Sequence, residues 1–175
     1  NPEVAEKAAA DVKASAKKGA TTSASSLGDA VLCDVVVLAV WYGTNIEIAK
    51  QLGDRLAGKV VIDIANPLNS TYDGLTTASD SSSAEDLAKA IVSGAKVVKA
   101  FNTTFAGTLL TGESGGQKLD VFIAGDDVDA KSKVAQLVTD GGMRAIDPGP
   151  LSRARQIEGM QLLHITMQGT LGTNW

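Results

Sequence analysis

The sequence predicts an α/β fold: a doubly wound, mostly parallel sheet followed by a helical element. Three observations predict it. Five short apolar runs rich in Val and Ile recur at intervals of about thirty residues, the size of a strand-helix-strand unit. The segments between them open on helix-capping residues and carry good helix formers. Glycines stand where those helices should stop.

Pro2 to about Lys18 is rich in Ala, Lys, Glu and Asp and reads as a surface helix. Asn1 is its expected N-cap, and Gly19 its stop. Ala20 to Ala24 is β-compatible, and Ser26 to Ala30 reads as one or two helical turns. The run from Asp34 to Val40 is the first strand, and its unbroken apolar stretch predicts burial on both faces. Thr44 is the expected cap of a helix through about Leu56. Lys59 to Ile64 is the second strand, and Asn66 to Ser81 reads as a loop. Ser82 or Ser83 caps a helix to about Ser93, and Lys96 to Phe101 is the third strand. The glycine-rich stretch from Gly107 to Gln117 reads as a loop. Asp120 to Gly125 is the fourth strand, and Asp126 or Asp127 caps a helix through about Val138. Met143 to Asp147 is the fifth strand, and Ser152 caps a last helix to about Met167.

Composition excludes several classes of function. Sixteen basic and twenty acidic residues leave a net charge of −4, against a nucleic-acid partner. One cysteine excludes a disulfide framework, and one histidine excludes a histidine-rich metal site. No apolar run is long enough for a membrane span. Cys33 reads most simply as a small buried hydrophobe.

Ligands of open α/β sheets sit beyond the carboxyl ends of the strands. Those tips here are Trp41-Tyr42-Gly43-Thr44, Ala65-Asn66-Pro67, Asn102 to Ala106, Gly125-Asp126-Asp127 and Pro148-Gly149-Pro150. They are rich in Gly, Asn, Thr and aromatics and poor in nucleophiles and bases. Asn, Thr and Gly are also ordinary turn residues. Trp41 and Tyr42 either cap the core or meet a flat ligand. Asp126 and Asp127 read as cap and helix-dipole partner. Arg153 and Arg155, in the first turns of a helix, meet either an anion or a surface carboxylate. His164 reads as a packed helical histidine. Such a site suits hydride transfer between two bound rings, in which the protein holds the rings and moves no proton. A pure binding module would look the same.

The stretches DVVVLAV (34–40), VVIDIANPL (60–68), VVKAFNT (97–103), VFIAGDD (121–127) and IDPGPLSRAR (146–155) resemble the NADP oxidoreductases that use the deazaflavin coenzyme F-420. The resemblance implies a Rossmann-type domain over residues 1–150 and a C-terminal helix and tail, 151–175, contributing to the deazaflavin site. It implies NADP and coenzyme F-420 as cofactors, a cytoplasmic location and a homodimer. Carried over by position, Ala39, Val40, Trp41 and Thr44 line the dinucleotide, as do Asn66 and Pro67. Ala106 offers its backbone to the nicotinamide carboxamide, with Asn102 and Thr103 nearby, and Leu171 touches the deazaflavin. The family's opening strand and glycine-rich phosphate loop are missing, and no G-x-G-x-x-G occurs in the chain. The expectation is a domain lacking its first strand-helix-strand unit, with weakened NADP binding. A related reductase with a flavin, quinone or metal-chelate acceptor, and a non-catalytic dinucleotide-binding module, are the alternatives.

Overall fold

The computed structural model describes residues 2–16, 20–91 and 93–172. The chain divides into two compact units, Asn1–Asp34 and Val35–Trp175.

The first unit carries helix α1 (Pro2–Ser15), which buries none of its residues, as its Ala/Lys/Glu composition requires. Its expected stop at Gly19 lies outside the described residues. The Thr22 hydroxyl donates to the Ala9 carbonyl at 2.9 Å and ties the following segment to α1. That segment, residues 20–24, is not a strand, having no partner edge to pair with among the described residues. Helix α2 (Leu27–Ala30) is capped by Ser26, whose Oγ accepts from the Asp29 N–H at 3.2 Å. Cys33 is exposed and not buried as expected; its Sγ donates to the Ala30 carbonyl.

The second unit holds a five-stranded sheet among the described residues. Its strands are β1 (Val35–Leu38), β2 (Val60–Asp63), β3 (Lys96–Lys99), β6 (Asp120–Gly125) and β7 (Arg144–Gly149). They lie in the order β1-β2-β3-β6-β7. The β1/β2, β2/β3 and β6/β7 pairs are parallel, and β3/β6 is antiparallel. The reversal follows from the connection. Instead of a helical crossover, which returns a strand parallel, the chain makes helix α5 (Ala106–Leu109) and a hairpin of β4 (Glu113–Ser114) and β5 (Gln117–Lys118). Gly115 and Gly116 turn the hairpin at φ of 56° and 75°, a left-handed pair that glycine adopts without strain. The expected loop at 107–117 therefore contains a short hairpin.

Among the described residues three helices connect the remaining strands, and a fourth follows them. Helix α3 (Thr44–Leu52) runs into a 3-10 turn at Gly53–Leu56, α4 is Ser83–Ala90 and α6 is Val128–Asp140. The long helix α7 (Ala154–Leu171) follows a 3-10 turn at Leu151–Arg153 and is not capped by Ser152. Period-two alternation decides which face each strand residue takes. Val60, Ile62, Val98, Ala100, Val121 and Ile123 form a core with Ala130, Val134 and Val138 of α6. Val61, Asp63, Val97 and Lys99 take the opposite face. There α4 packs on β2 and β3, and α7 packs on α4.

Strand β1 departs from the expected burial. Val36 and Leu38 are buried, but Val37 is 50% exposed. The strand is an edge of the sheet, and α6 packs over β3, β6 and β7, leaving the same face of β1 partly open. No helix of the described residues is long and apolar enough to cross a membrane.

Candidate functional site

The carboxyl ends of β1 and β2 open into a cleft of about 460 Å³. The chain leaving β1 supplies Ala39, Val40 and Trp41. The chain leaving β2 supplies Ile64, Ala65, Asn66, Leu68 and Tyr72, and α7 closes one side with Ile165. No carboxylate, amine, thiol or imidazole is among these residues. Trp41 is 77% exposed and Tyr72 49% exposed. Trp41 is therefore not a cap on the core.

Four of the expected residues, Ala39, Val40, Trp41 and Asn66, meet in this cleft. Asn102 is buried beside it and pairs reciprocally with Asn66. The Asn66 amide donates to the Asn102 main-chain carbonyl, and the Asn102 amide donates to Asn66 Oδ1, each at 2.9 Å. Asn102 Oδ1 is buried without a hydrogen-bond partner among the described residues. An unpaired buried carbonyl costs free energy unless a ligand donates to it.

The other expected residues lie elsewhere. Thr103 lines a second cavity of about 200 Å³ with Phe105, Thr108 and His164. Pro67 is buried, and its carbonyl accepts from Thr76 N and Oγ1. Thr44 opens α3, Ala106 opens α5 and Leu171 ends α7; all three are exposed. None of these four is among the lining residues of either cavity.

The start of α3 is not laid out as a phosphate site. Its N-cap is Gly43 at φ 89°, and Thr44 gives no side-chain cap. Instead Asn45, fully buried, folds its Oδ1 back to accept from the N–H groups of Gly43 and Ile46 at 3.1 and 2.8 Å. Those donors are the ones a phosphate would use at a helix N-terminus. The apolar, aromatic cleft has the chemistry to take a flat ring, and the unpaired amide oxygen lies beside it. The residues described here supply no matching cradle for the pyrophosphate.

Below the cleft lies a buried charged cluster that the sequence reading did not single out. Asp63 ends β2, Lys99 ends β3 and Glu158 faces them from α7; all three are fully buried. Lys99 Nζ lies 2.9 Å from Asp63 Oδ2 and 2.7 Å from Glu158 Oε1, and it donates its third hydrogen to the Ala65 carbonyl. Each carboxylate also takes a further donor. Asn45 Nδ2 donates to Asp63 Oδ1 at 2.9 Å, and the Ser83 N–H donates to Glu158 Oε1 at 3.1 Å. Burial pushes the Glu158 carboxyl above its ordinary value, against the opposing pull of Lys99. Ala65 and Asn66 line the cleft, so this cluster holds the cleft's floor in place. The signal available in the sequence was a lysine set within the apolar run KVVKAF.

Asp127 caps α6 by accepting from Ala130 N–H at 2.9 Å and pairs with Lys96, and Asp126 accepts from Leu151 N–H. Arg155 donates to the Ala78 and Ser81 carbonyls at 2.8 Å, so its partner is backbone and not an anion. Arg153 is exposed. His164 is exposed at the second cavity instead of packed, because the later turns of α7 extend past the sheet-facing contacts of Ile157, Glu158 and Gln161.

The family described as NADP oxidoreductase coenzyme F420-dependent matches residues 1–67. The F420-dependent NADP reductase of Methanothermobacter marburgensis is 32% identical over 156 residues, which cover 86% of this chain and 67% of that protein. The metalloreductase STEAP3 of Rattus norvegicus is 35% identical over 112 residues, 64% of this chain and 22% of that protein. A crystal structure from Arthrobacter sp. FB24, named as a candidate F420-dependent NADP reductase, superposes with a TM-score of 0.77 at 33% identity. It covers 85% of this chain and 70% of that one. The chain spans between 22% and 67% of the length of three curated relatives that it matches.

Proposed function

The chain belongs to the family of F420-dependent NADP oxidoreductases, and from that premise we propose that it holds the nicotinamide end of a site for hydride transfer between NADP(H) and coenzyme F420. The observation that carries the reading is the cleft at the ends of β1 and β2. It has aromatic and apolar walls, no acid or base, and the Asn66–Asn102 pair at its edge.

Bound NADP(H) and deazaflavin supply the hydride donor and acceptor. The chain's residues have three tasks: to bind, to orient and to exclude water. Asn102 Oδ1 accepts from the carboxamide, with Thr103 and the Ala106 backbone nearby. Trp41, Tyr72 and Ile165 shield the ring from water. Ala39, Val40, Thr44, Asn66 and Pro67 follow the dinucleotide away from the ring. Residues 1–150 form the NADP-binding part, and 151–175, with Leu171, face the deazaflavin. A cytoplasmic homodimer without a nucleic-acid or membrane partner completes the proposal. The net charge of −4 supports its nucleic-acid clause.

The likeness to a protein named as a metalloreductase favours a second reading, an NADPH reductase with another acceptor. Anaerobic stopped-flow mixing of the protein with NADPH and oxidised coenzyme F420 separates the two. The first reading expects the deazaflavin band to bleach as NADPH is consumed. NADPH oxidised only when a ferric chelate, flavin or quinone is supplied moves the assignment to the second. NADPH bound without turnover on any acceptor leaves a binding module.

A further inference from the structure

Tyr72 has a backbone conformation that its own type disfavours. Its φ is 56°, in the left-handed region, where a bulky L residue is a steric outlier. A loop that needs only to turn uses Gly or Asn at such a position. Burial does not repay the strain, because the side chain is 49% exposed.

The surrounding loop holds the conformation from several directions. The Asn69 N–H donates to the Gly74 carbonyl at 3.0 Å, and the Tyr72 N–H donates to the Asn69 carbonyl at 3.1 Å. The Asn69 amide and the Thr71 hydroxyl both donate to Asp73 Oδ1, at 2.6 and 2.8 Å, and Asp73 N–H returns a bond to Asn69 Oδ1. A bridge between Leu68 and Leu75 closes the base. These bonds hold the strained tyrosine in a loop where it lines the cleft, as Trp41 does from the end of β1.

We propose that Tyr72 is a positioning residue for the nicotinamide: loop 69–74 presents its phenol ring as a fixed, electron-rich wall against which the electron-poor pyridine ring is held. The inference rests on the reading of the cleft as the nicotinamide site. Its chemistry is aromatic stacking, which needs the ring of Tyr72 and not its hydroxyl.

The test is titration of the full chain with NADPH, followed by saturation transfer to the nicotinamide protons, in wild type, Tyr72→Gly and Tyr72→Phe. Glycine relieves the positive φ, so Tyr72→Gly should match or exceed the wild-type thermal midpoint. It should nevertheless bind NADPH about three- to ten-fold more weakly. Tyr72→Phe should bind within about two-fold of wild type. A merely structural tyrosine would show the reverse: unchanged binding in Tyr72→Gly. That result, with wild type binding, overturns the inference alone, as does Tyr72→Phe binding as weakly as Tyr72→Gly. A wild-type chain that binds no nicotinamide nucleotide overturns the reading of the cleft, and this inference with it.

Discussion

Lys99 and Asp63 are register partners on adjacent parallel strands, and their charged groups meet at 2.9 Å with neither side chain exposed. Glu158, 59 residues further along the chain than Lys99, closes the cluster at 2.7 Å. Two carboxylates share one ammonium, so removing the lysine strands both. Lys99→Met should destabilise the protein by about 3–5 kcal/mol, the usual cost of breaking a buried ion pair from one side. Urea unfolding measures it. A loss under about 1 kcal/mol would mean that water reaches the site and that the cluster is not dry.

Glu158 makes a separate prediction in pH. Burial raises its carboxyl above the ordinary value of 4.5, so the folded protein holds this proton more readily than the unfolded chain. Its contribution to stability is present below that value and is lost as pH rises through the elevated folded value. Two surface carboxyls work in the opposite sense. Arg144 holds Asp120 low, and the Ala130 N–H, with Lys96, holds Asp127 low, so their contributions are lost as pH falls. The difference between wild type and Glu158→Gln isolates the buried group. Unfolding free energies measured upward from pH 4.5 should show wild type losing stability relative to the variant. Parallel profiles would show that Glu158 does not titrate in this way.

Tyr42 follows Trp41 but turns away from the cleft. Its hydroxyl donates to Asp86 Oδ2 at 2.9 Å. Burial, the hydrogen bond to Asp86 and that carboxylate's charge push the phenol up to about 12. The stability it contributes is present below 10.0 and lost as pH rises through about 12. In Tyr42→Phe the highest-pH phase of the tyrosinate absorbance should vanish, and stability should fall by about 0.5–1.5 kcal/mol. A tyrosinate titration identical to wild type would refute the assignment.

The strands were readable because each is a short Val- and Ile-rich run, and β2, β3 and β6 are buried where those runs say. Three features were not readable, for different physical reasons. The antiparallel turn between β3 and β6 depends on a hairpin of two-residue strands, too short to leave an alternation pattern. Tyr72 sits in a polar loop, and a positive φ leaves no trace in a sequence when the residue is not glycine. Glu158 lies on a helix whose neighbours gave no reason to single it out, and only folding brings it to Lys99. Asn66 and Trp41 were legible because they stand immediately after buried strands, where the fold places ligands.

Arg155 and Glu158 stand one helical turn apart on α7, and both reach the entrance to α4. Glu158 accepts from Ser83 N–H, and Arg155 donates to the Ala78 and Ser81 carbonyls, with Thr77 Oγ1 at 3.4 Å. Both carbonyls are bonded by one nitrogen, Nη1, at the end of the long arginine stem, a reach that the shorter lysine stem does not reproduce. Arg155→Lys should therefore release the loop locally while leaving the sheet intact. Amide hydrogen exchange should accelerate for residues 77–83 and remain unchanged in β2 and β6. Phosphate or sulfate added to wild type should not alter exchange in this loop, because the nitrogen that meets it, Nη1, is already committed to the Ala78 and Ser81 carbonyls. Exchange in the loop that slows with added anion would restore Arg155 as an anion site and overturn its assignment as a tether.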